Sequence, residues 1–481
     1  MAGAVVPANR ELKAEPQLVR GLTLTHTIAL VVGTVIGTGV FLKAAIMAQA
    51  VGTPLLVLAA WVVAGLMCLA GALTYAELGS LLPHSGGEYV YLREAYGKLP
   101  AFLGGWMIVA IAAGGGIASI AAGFSVFITA LFPLDAVWVE RTFHLLGQTI
   151  QWQFGSRQII AVGIILLVSA VNCAGVVLGA RIQSVLTALK VLSIVAIAGG
   201  VFAFSKSAAI SHFARPANHE SWSGFTLFSA AVLAALWAYD GWNQMPMVAA
   251  EVKQPERNLP RALIVGVLVL IFLYCLANFA YLYALPFEEV ATANSTAFRQ
   301  APPVATKAAG TFLGPLGTQF VAVIFLVSAL GALNGTILQH ARVPYAMARD
   351  GLFFRSLADL SKNTRVPVIA IAAQAVWASL LAMSGTYDQL TDCVVFATWI
   401  FFALVASSLF VLRRKLPHAP RAFRVPAYPL IPLLFLLVSA WLVLNTLYTR
   451  PVESMVGLLL IASGFPLYFL FRLRSRSNDS A

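Results

Sequence analysis

Charge is what this sequence has least of. Lys, Arg, Asp and Glu together make up 10% of its 481 residues, whereas 60% are hydrophobic, and the mean hydropathy is +0.85. A single soluble core cannot hide that much apolar surface, so the composition excludes a soluble globular domain and predicts a polytopic membrane protein. Cysteine is also scarce. The four residues, Cys68, Cys173, Cys275 and Cys393, all fall inside apolar segments, so no outer loop offers a thiol for a disulfide. The seven histidines are scattered without metal-ligand spacing, and no nucleophile has a base beside it. That pattern argues against an enzyme, a metal site or a cofactor. The stretch before residue 24 is polar and carries no small-residue cleavage site, so no cleaved signal peptide is expected.

What is abundant is long apolar runs. Segments of about 20 residues, the length that crosses a bilayer, recur twelve times between residues 24 and 472. With an even number of spans both termini lie on one side. If that side is the cytoplasm, the inner connections and tails carry 22 Lys and Arg and the outer ones 7, the bias that the positive-inside rule requires. Both termini are therefore expected in the cytoplasm, with the protein in the inner (cell) membrane. The net charge of +12 follows from basic loops facing an anionic lipid leaflet and needs no nucleic acid.

Two of the apolar segments are interrupted. The first contains Val32-Gly33-Thr34-Val35-Ile36-Gly37-Thr38-Gly39-Val40-Phe41, and the sixth contains Leu236-Trp237-Ala238-Tyr239-Asp240-Gly241-Trp242-Asn243. A break in lipid is tolerated only where it faces protein or a water-filled cavity. Two breaks, each first in a half of five spans, point to inverted repeats and a secondary transporter working by alternating access. The expected fold is an all-α membrane protein of twelve helices, with a five-plus-five inverted repeat and broken helices 1 and 6. Its expected organisation is a cytoplasmic tail (1–23), a ten-helix transport core (24–413), a cytoplasmic connector (414–426), helices 11 and 12 (427–472) and a cytoplasmic C-terminal tail (473–481).

At the first break Gly37, Thr38 and Gly39 free amide groups at the start of the next half-helix, whose dipole favours an anion such as a carboxylate. Close packing of small residues is the alternative reading of the same glycines. At the second break the carbonyls around Leu236, Trp237 and Ala238 end a half-helix and suit an ammonium. A carboxylate site facing an ammonium site describes the constant part of an α-amino acid. Trp237 and Trp242 offer either aromatic surface over a substrate or packing. Asp240, an acid within the membrane, either meets a cationic side chain, carries a proton, or bonds within its broken helix. Lys190, in mid-helix, either bonds the carbonyls freed by the first break, doing what sodium does in ion-coupled relatives of such folds, or snorkels to the inner surface. Asn243, Tyr274, Asn278 and Asn334 either face the same cavity or bond between helices. Glu77 and Glu251 sit where gate pairs with basic loops, or ordinary surface pairs, would form.

These motifs, with Tyr75-Ala76-Glu77-Leu78-Gly79, Pro83 and Ser85-Gly86-Gly87-Glu88-Tyr89, resemble the amino acid, polyamine and organocation superfamily over nearly the whole chain. Trp237 to Gln244 and Asn258-Leu259-Pro260 are similar to its L-type branch, the light subunits of heteromeric amino acid transporters, and most resemble the b0,+ type. The resemblance implies the LeuT-like fold and sodium-independent exchange of neutral, and with Asp240 dibasic, amino acids. It implies carboxylate binding at Gly37, Thr38 and Gly39 beside Ile36, and amine binding at Val35, Trp237 and Asp240 with Leu236 and Ala238. Trp237 would be the aromatic gate, Tyr274 a substrate neighbour and Lys190 the stand-in for sodium. Animal light subunits carry a cysteine between spans 3 and 4 for a heavy subunit, and residues 133–156 contain none. The resemblance therefore implies a self-sufficient bacterial protein, acting as a monomer without a disulfide-linked partner, with proton-coupled uptake and a flux-free sensor as the rival functions.

Overall fold

The computed structural model describes residues 17–479 except 133, 135, 146–147, 214–223, 299, 385–386 and 450. The expected N-terminal tail thus lies mostly outside the described residues, as does the side chain of Cys393. The chain opens with α1 (Leu24–Val35), α2 (Gly39–Val51), α3 (Pro54–Leu81) and a short α4 (Glu88–Tyr96). A π-helical turn over Ile108–Ala113 joins α5 (Lys98–Met107) to α6 (Gly114–Leu131). An antiparallel hairpin, β1 (Val137–Leu145) and β2 (Gln148–Gly155), leads to α7 (Ser156–Cys173), α8 (Val176–Phe204) and α9 (Gly224–Ala238). Then come α10 (Pro255–Ala284), α11 (Phe287–Ala291), α12 (Val304–Leu313), α13 (Leu316–His340), α14 (Arg342–Arg349), α15 (Val368–Ser384), α16 (Tyr387–Lys415), α17 (Leu430–Thr449), α18 (Pro451–Ala462) and α19 (Gly464–Asp479).

Among the described residues nine helices are long and apolar enough to cross a membrane, or ten when α1 and α2, bent by 43° at their break, count as one span. The protein is a multi-pass membrane protein. Two of the expected spans fall short as helices: α9 has 15 residues before its break, and α15 has 17, about 26 Å at the helical rise. The hairpin departs from an all-helical expectation. It occupies the connection after α6, where alternation of Val137, Val139 and later polar residues suits two paired strands and not a spanning helix.

The core is built around α1, which packs on α8, α10, α13 and the 3-10 segment Trp242–Glu251, while α2 packs on α9 and α11. A helix enclosed on all sides must be apolar all round, and from Ala29 to Ile36 every residue of this stretch is buried. The chain entering α1 is tied at one end of the bundle: Leu22 N–H donates to Glu251 O at 2.9 Å and Lys253 N–H to Leu22 O at 2.8 Å.

Ion pairs gather at that same end. Arg342 forks onto Glu251 at 2.7 and 2.8 Å, with side chains 1% and 0% exposed. Glu77, also buried, accepts from Arg413 at 2.8 and 2.6 Å and from Val425 N–H at 2.7 Å, with Arg421 Nε 3.4 Å away. Arg93 and Tyr89 both donate to Asp350. Glu77 and Glu251 are therefore not surface pairs, and Glu251 is held by Arg342 of α14 instead of a loop residue. Removing one member of a buried pair strands the other. Arg342→Leu is expected to destabilise the protein by about 3–5 kcal/mol, and Arg93→Leu, in a pair whose side chains are 27% and 23% exposed, by about 1 kcal/mol. Thermal unfolding of both variants in detergent checks the order.

Candidate functional site: two broken helices around one cavity

The first break runs over Ile36, Gly37 and Thr38. The last carbonyls of α1 have no continuing helix to satisfy them, and other helices supply the donors. Lys190 Nζ of α8, its side chain buried, donates to Gly33 O and Ile36 O, both at 2.6 Å. Ser328 Oγ of α13 donates to Ile36 O at 2.9 Å and Gly37 O at 3.1 Å. Higher up α1, Thr187 Oγ1 donates to Ala29 O at 2.9 Å and Gln339 Nε2 to Thr34 Oγ1 at 3.0 Å. Lys190 does not snorkel to a surface. Ser328 is absent from the sequence reading because a lone serine in an apolar helix reads as packing.

The second break ends α9 at Ala238. Gly241 takes φ 117°, a conformation in which a side chain is strained, and the chain resumes as 3-10 helix from Trp242. The two breaks touch. A Cβ on Gly39 would stand 2.6 Å from Ala238 Cβ, so only glycine lets the start of α2 meet the end of α9. Between them sits Tyr274 of α10, whose hydroxyl lies 3.1 Å from Val35 O and 2.9 Å from Ala238 O. Its ring is wedged against Trp61 and Tyr239. One hydroxyl proton thus serves the carbonyls of both breaks.

A cavity of about 410 Å³ opens against these ends. Thr34, Val35, Gly37, Thr38 and Gly39 line it from the first break, and Leu236, Trp237, Ala238, Asp240 and Asn243 from the second. The remaining wall mixes small residues, Gly115, Gly116, Ser119 and Gly123 of α6 and Ala329 and Ala332 of α13, with larger ones, Ile120 and Phe127 of α6 and Trp399 of α16. The amino end of α2 and the carboxyl end of α9 therefore present opposite partial charges to one space. Trp237 is 40% exposed into it, with Lys43 Nζ 4.1 Å from its ring centre. Asp240 is exposed too, but to the cavity. Glu88, which the sequence offers only as part of a turn motif, lines the same cavity.

Other residues expected there lie elsewhere. Ile36 is fully buried and turns its carbonyl to Lys190 and Ser328. Tyr274 sits behind the breaks and outside the lining. Trp242 packs on Tyr75, with ring centres 5.0 Å apart, and on Phe435 at 6.0 Å. Asn278 donates back to Tyr274 O of its own helix at 2.8 Å. Asn334 bonds Gly179 O at 3.1 Å and Gln183 at 2.8 Å and accepts from Asn172 at 2.9 Å, joining α13 to α7 and α8.

The amino acid permease family model matches residues 22–471. The chain belongs to the amino acid permease family. Among curated relatives, this permease is 32% identical to the serine/threonine exchanger SteT of Bacillus subtilis over 96% of this chain and 98% of that one. It is 31% identical to the human b(0,+)-type amino acid transporter 1, covering 94% and 88% of the two chains. The human cystine/glutamate transporter is 30% identical, over 95% and 86%.

In this permease the first break hangs on two side chains, and they are unequal. Lys190→Ala leaves Gly33 O without its buried donor, and a stranded buried group costs about 1–3 kcal/mol. Ser328→Ala leaves Ile36 O still bonded to Lys190 and deprives only Gly37 O, whose residue is half-buried and lines the cavity. Melting in detergent is expected to fall clearly in the first variant and by less in the second.

Proposed function

We propose that the protein is a sodium-independent amino acid exchanger that works by alternating access around its two broken helices. The observation that carries this reading is the pair of helix ends of opposite polarity, bridged by Tyr274, facing one cavity. Amides of Gly37, Thr38 and Gly39 suit a substrate carboxylate, and the carbonyls ending α9, with Asp240 beside them, suit an α-ammonium. Lys190 fills the space between the carbonyls of Gly33 and Ile36, where a coupling sodium would otherwise be needed. The names of the relatives, an exchanger of serine and threonine and transporters of amino acids or cystine and glutamate, support the same reading.

On this proposal the spans number twelve, with α9 and its 3-10 continuation as the sixth and α15 as the ninth. The first ten form a five-plus-five inverted repeat of the LeuT type, spanning residues 24–413, and both termini lie on the cytoplasmic side of the inner (cell) membrane. The end bearing Glu77, Glu251 and Asp350 is then the inner gate, closed by arginines, and the chain acts without a heavy subunit. Because protein backbone holds substrate backbone, discrimination falls to the pocket lined by α6 and α13. Neutral amino acids fit, and Asp240 adds dibasic ones.

Proteoliposomes test it. Uptake of labelled serine is expected to require unlabelled amino acid inside, to ignore sodium, and to persist without a pH gradient. Uptake driven by a pH gradient and indifferent to internal amino acid would make the protein a proton-coupled permease, and binding without flux would make it a sensor. Lys190→Ala is expected to lower the exchange rate at least about tenfold, since about 1.4 kcal/mol of lost stabilisation of the working geometry is a factor of ten.

A further inference from the structure

We propose that Glu88 forms a second recognition point in the cavity, binding the cationic end of a substrate side chain, an ammonium or a guanidinium. This rests on the exchanger reading above and adds to it a site for a particular class of amino acid.

Glu88 is 2% exposed, yet it lines the cavity. Two neighbours fix it: Tyr75 O–H donates to Oε1 at 3.0 Å and Asn243 Nδ2 to the same oxygen at 2.8 Å. Both bonds fall on one oxygen, so Oε2 has no partner among the described residues. Beside it Asn243 Oδ1, and in the next residue Gln244 Oε1, are buried acceptors that also lack a partner among the described residues. Asn243 is itself 7% exposed, and its orientation is set by the carboxylate to which its amide donates.

The inner end of the cavity is thus a cluster of acceptors in search of donors. No lysine or arginine is among the described residues that line it, and its one imidazole, His340, has Nδ1 3.1 Å from Thr336 O. A buried carboxylate without a cation is costly. A lysine-type ammonium carries three donors and an arginine-type guanidinium five, with no acceptor on either. Such a group can bond the free oxygen of Glu88 and still has donors left for the neighbouring amide oxygens, where a hydroxyl offers a single donor.

Distance agrees. Asn243 follows Asp240 by three residues across the turn at Gly241, so their backbones lie within about 10 Å, and a basic amino acid sets its charge beyond a stem of three or four carbons. With its α-carboxylate on α2 and its α-ammonium at the end of α9, such a substrate reaches Glu88 with its far charge. Tyr75 and Asn243 act as positioning residues for that carboxylate.

The test is exchange in proteoliposomes by wild type, Glu88→Gln and Glu88→Asp, with KM measured for lysine and for serine. Glu88→Gln is expected to raise the KM for lysine at least about tenfold more than that for serine, and Glu88→Asp, which keeps the charge, to recover most of the ratio. An equal loss for both substrates would make Glu88 structural and overturn the proposal. A lysine-to-serine ratio that stays put while the pH dependence of serine exchange disappears would make it a proton carrier, which also overturns it. Wild type that exchanges neither amino acid would refute the exchanger reading itself, independently of Glu88.

Discussion

Everything in this structure depends on what happens to a few backbone carbonyls in the middle of a membrane. Breaking a helix in lipid strands polar groups that water cannot reach, and α1 is broken directly after a stretch, Ala29 to Ile36, that is buried throughout. The carbonyls of Gly33, Ile36 and Gly37 are met by Lys190 from α8 and Ser328 from α13. Those two helices therefore do more than pack on α1. They hold the break in one geometry, and with it the direction of the α2 amides that face the cavity.

The second constraint is proximity. Gly39 and Ala238 are in contact, and the Tyr274 hydroxyl serves a carbonyl from each break. The two half-helix ends are thus registered against one another by α10, and neither can turn without disturbing the other. A carboxylate and an ammonium on one carbon atom require a fixed spacing between an anion site and a cation site. On the proposed reading the contact supplies that spacing from backbone alone, and a carboxylate would be held without an arginine.

How much of this is legible in the sequence follows from what the signals measure. The breaks are legible because glycine, threonine and an acid interrupt strongly apolar runs, and Lys190 because a lysine in mid-helix has few places to go. Membership of the family is legible because the motifs are distributed along nearly the whole chain. What is not legible is which way a side chain faces once a break has reset the helix. Trp237 and Trp242 read alike, yet the turn at Gly241 lies between them, and the first meets the cavity while the second joins Tyr75 and Phe435. Asn334 and Asn278, on unbroken helices, are ambiguous because a buried amide suits a cavity wall or a bond to neighbouring backbone equally, and Ser328 and Glu88 are invisible because their depth depends on helices far away in the chain. The hairpin of β1 and β2 escapes a reading tuned to apolar runs.

Recognition and gating meet where the turn at residues 85–87 leads into Glu88. Gly86 N–H donates to Met247 O at 2.9 Å, and Asn243 reaches Glu88 from the same 3-10 segment. The turn before α4 is therefore fastened to the half of the second broken helix that runs on to Glu251 and its arginine. On the proposed reading that half must move when the inner end opens. A cation drawn to Glu88 then binds to the moving element itself, and its charge is felt by the bonds that keep the gate closed. A neutral side chain makes no such contact and leaves Glu88 facing an emptier cavity. Substrates of the two kinds would in that way differ in the stability of the closed state they leave behind, and so in the rate at which each is released, even where their backbones are held identically.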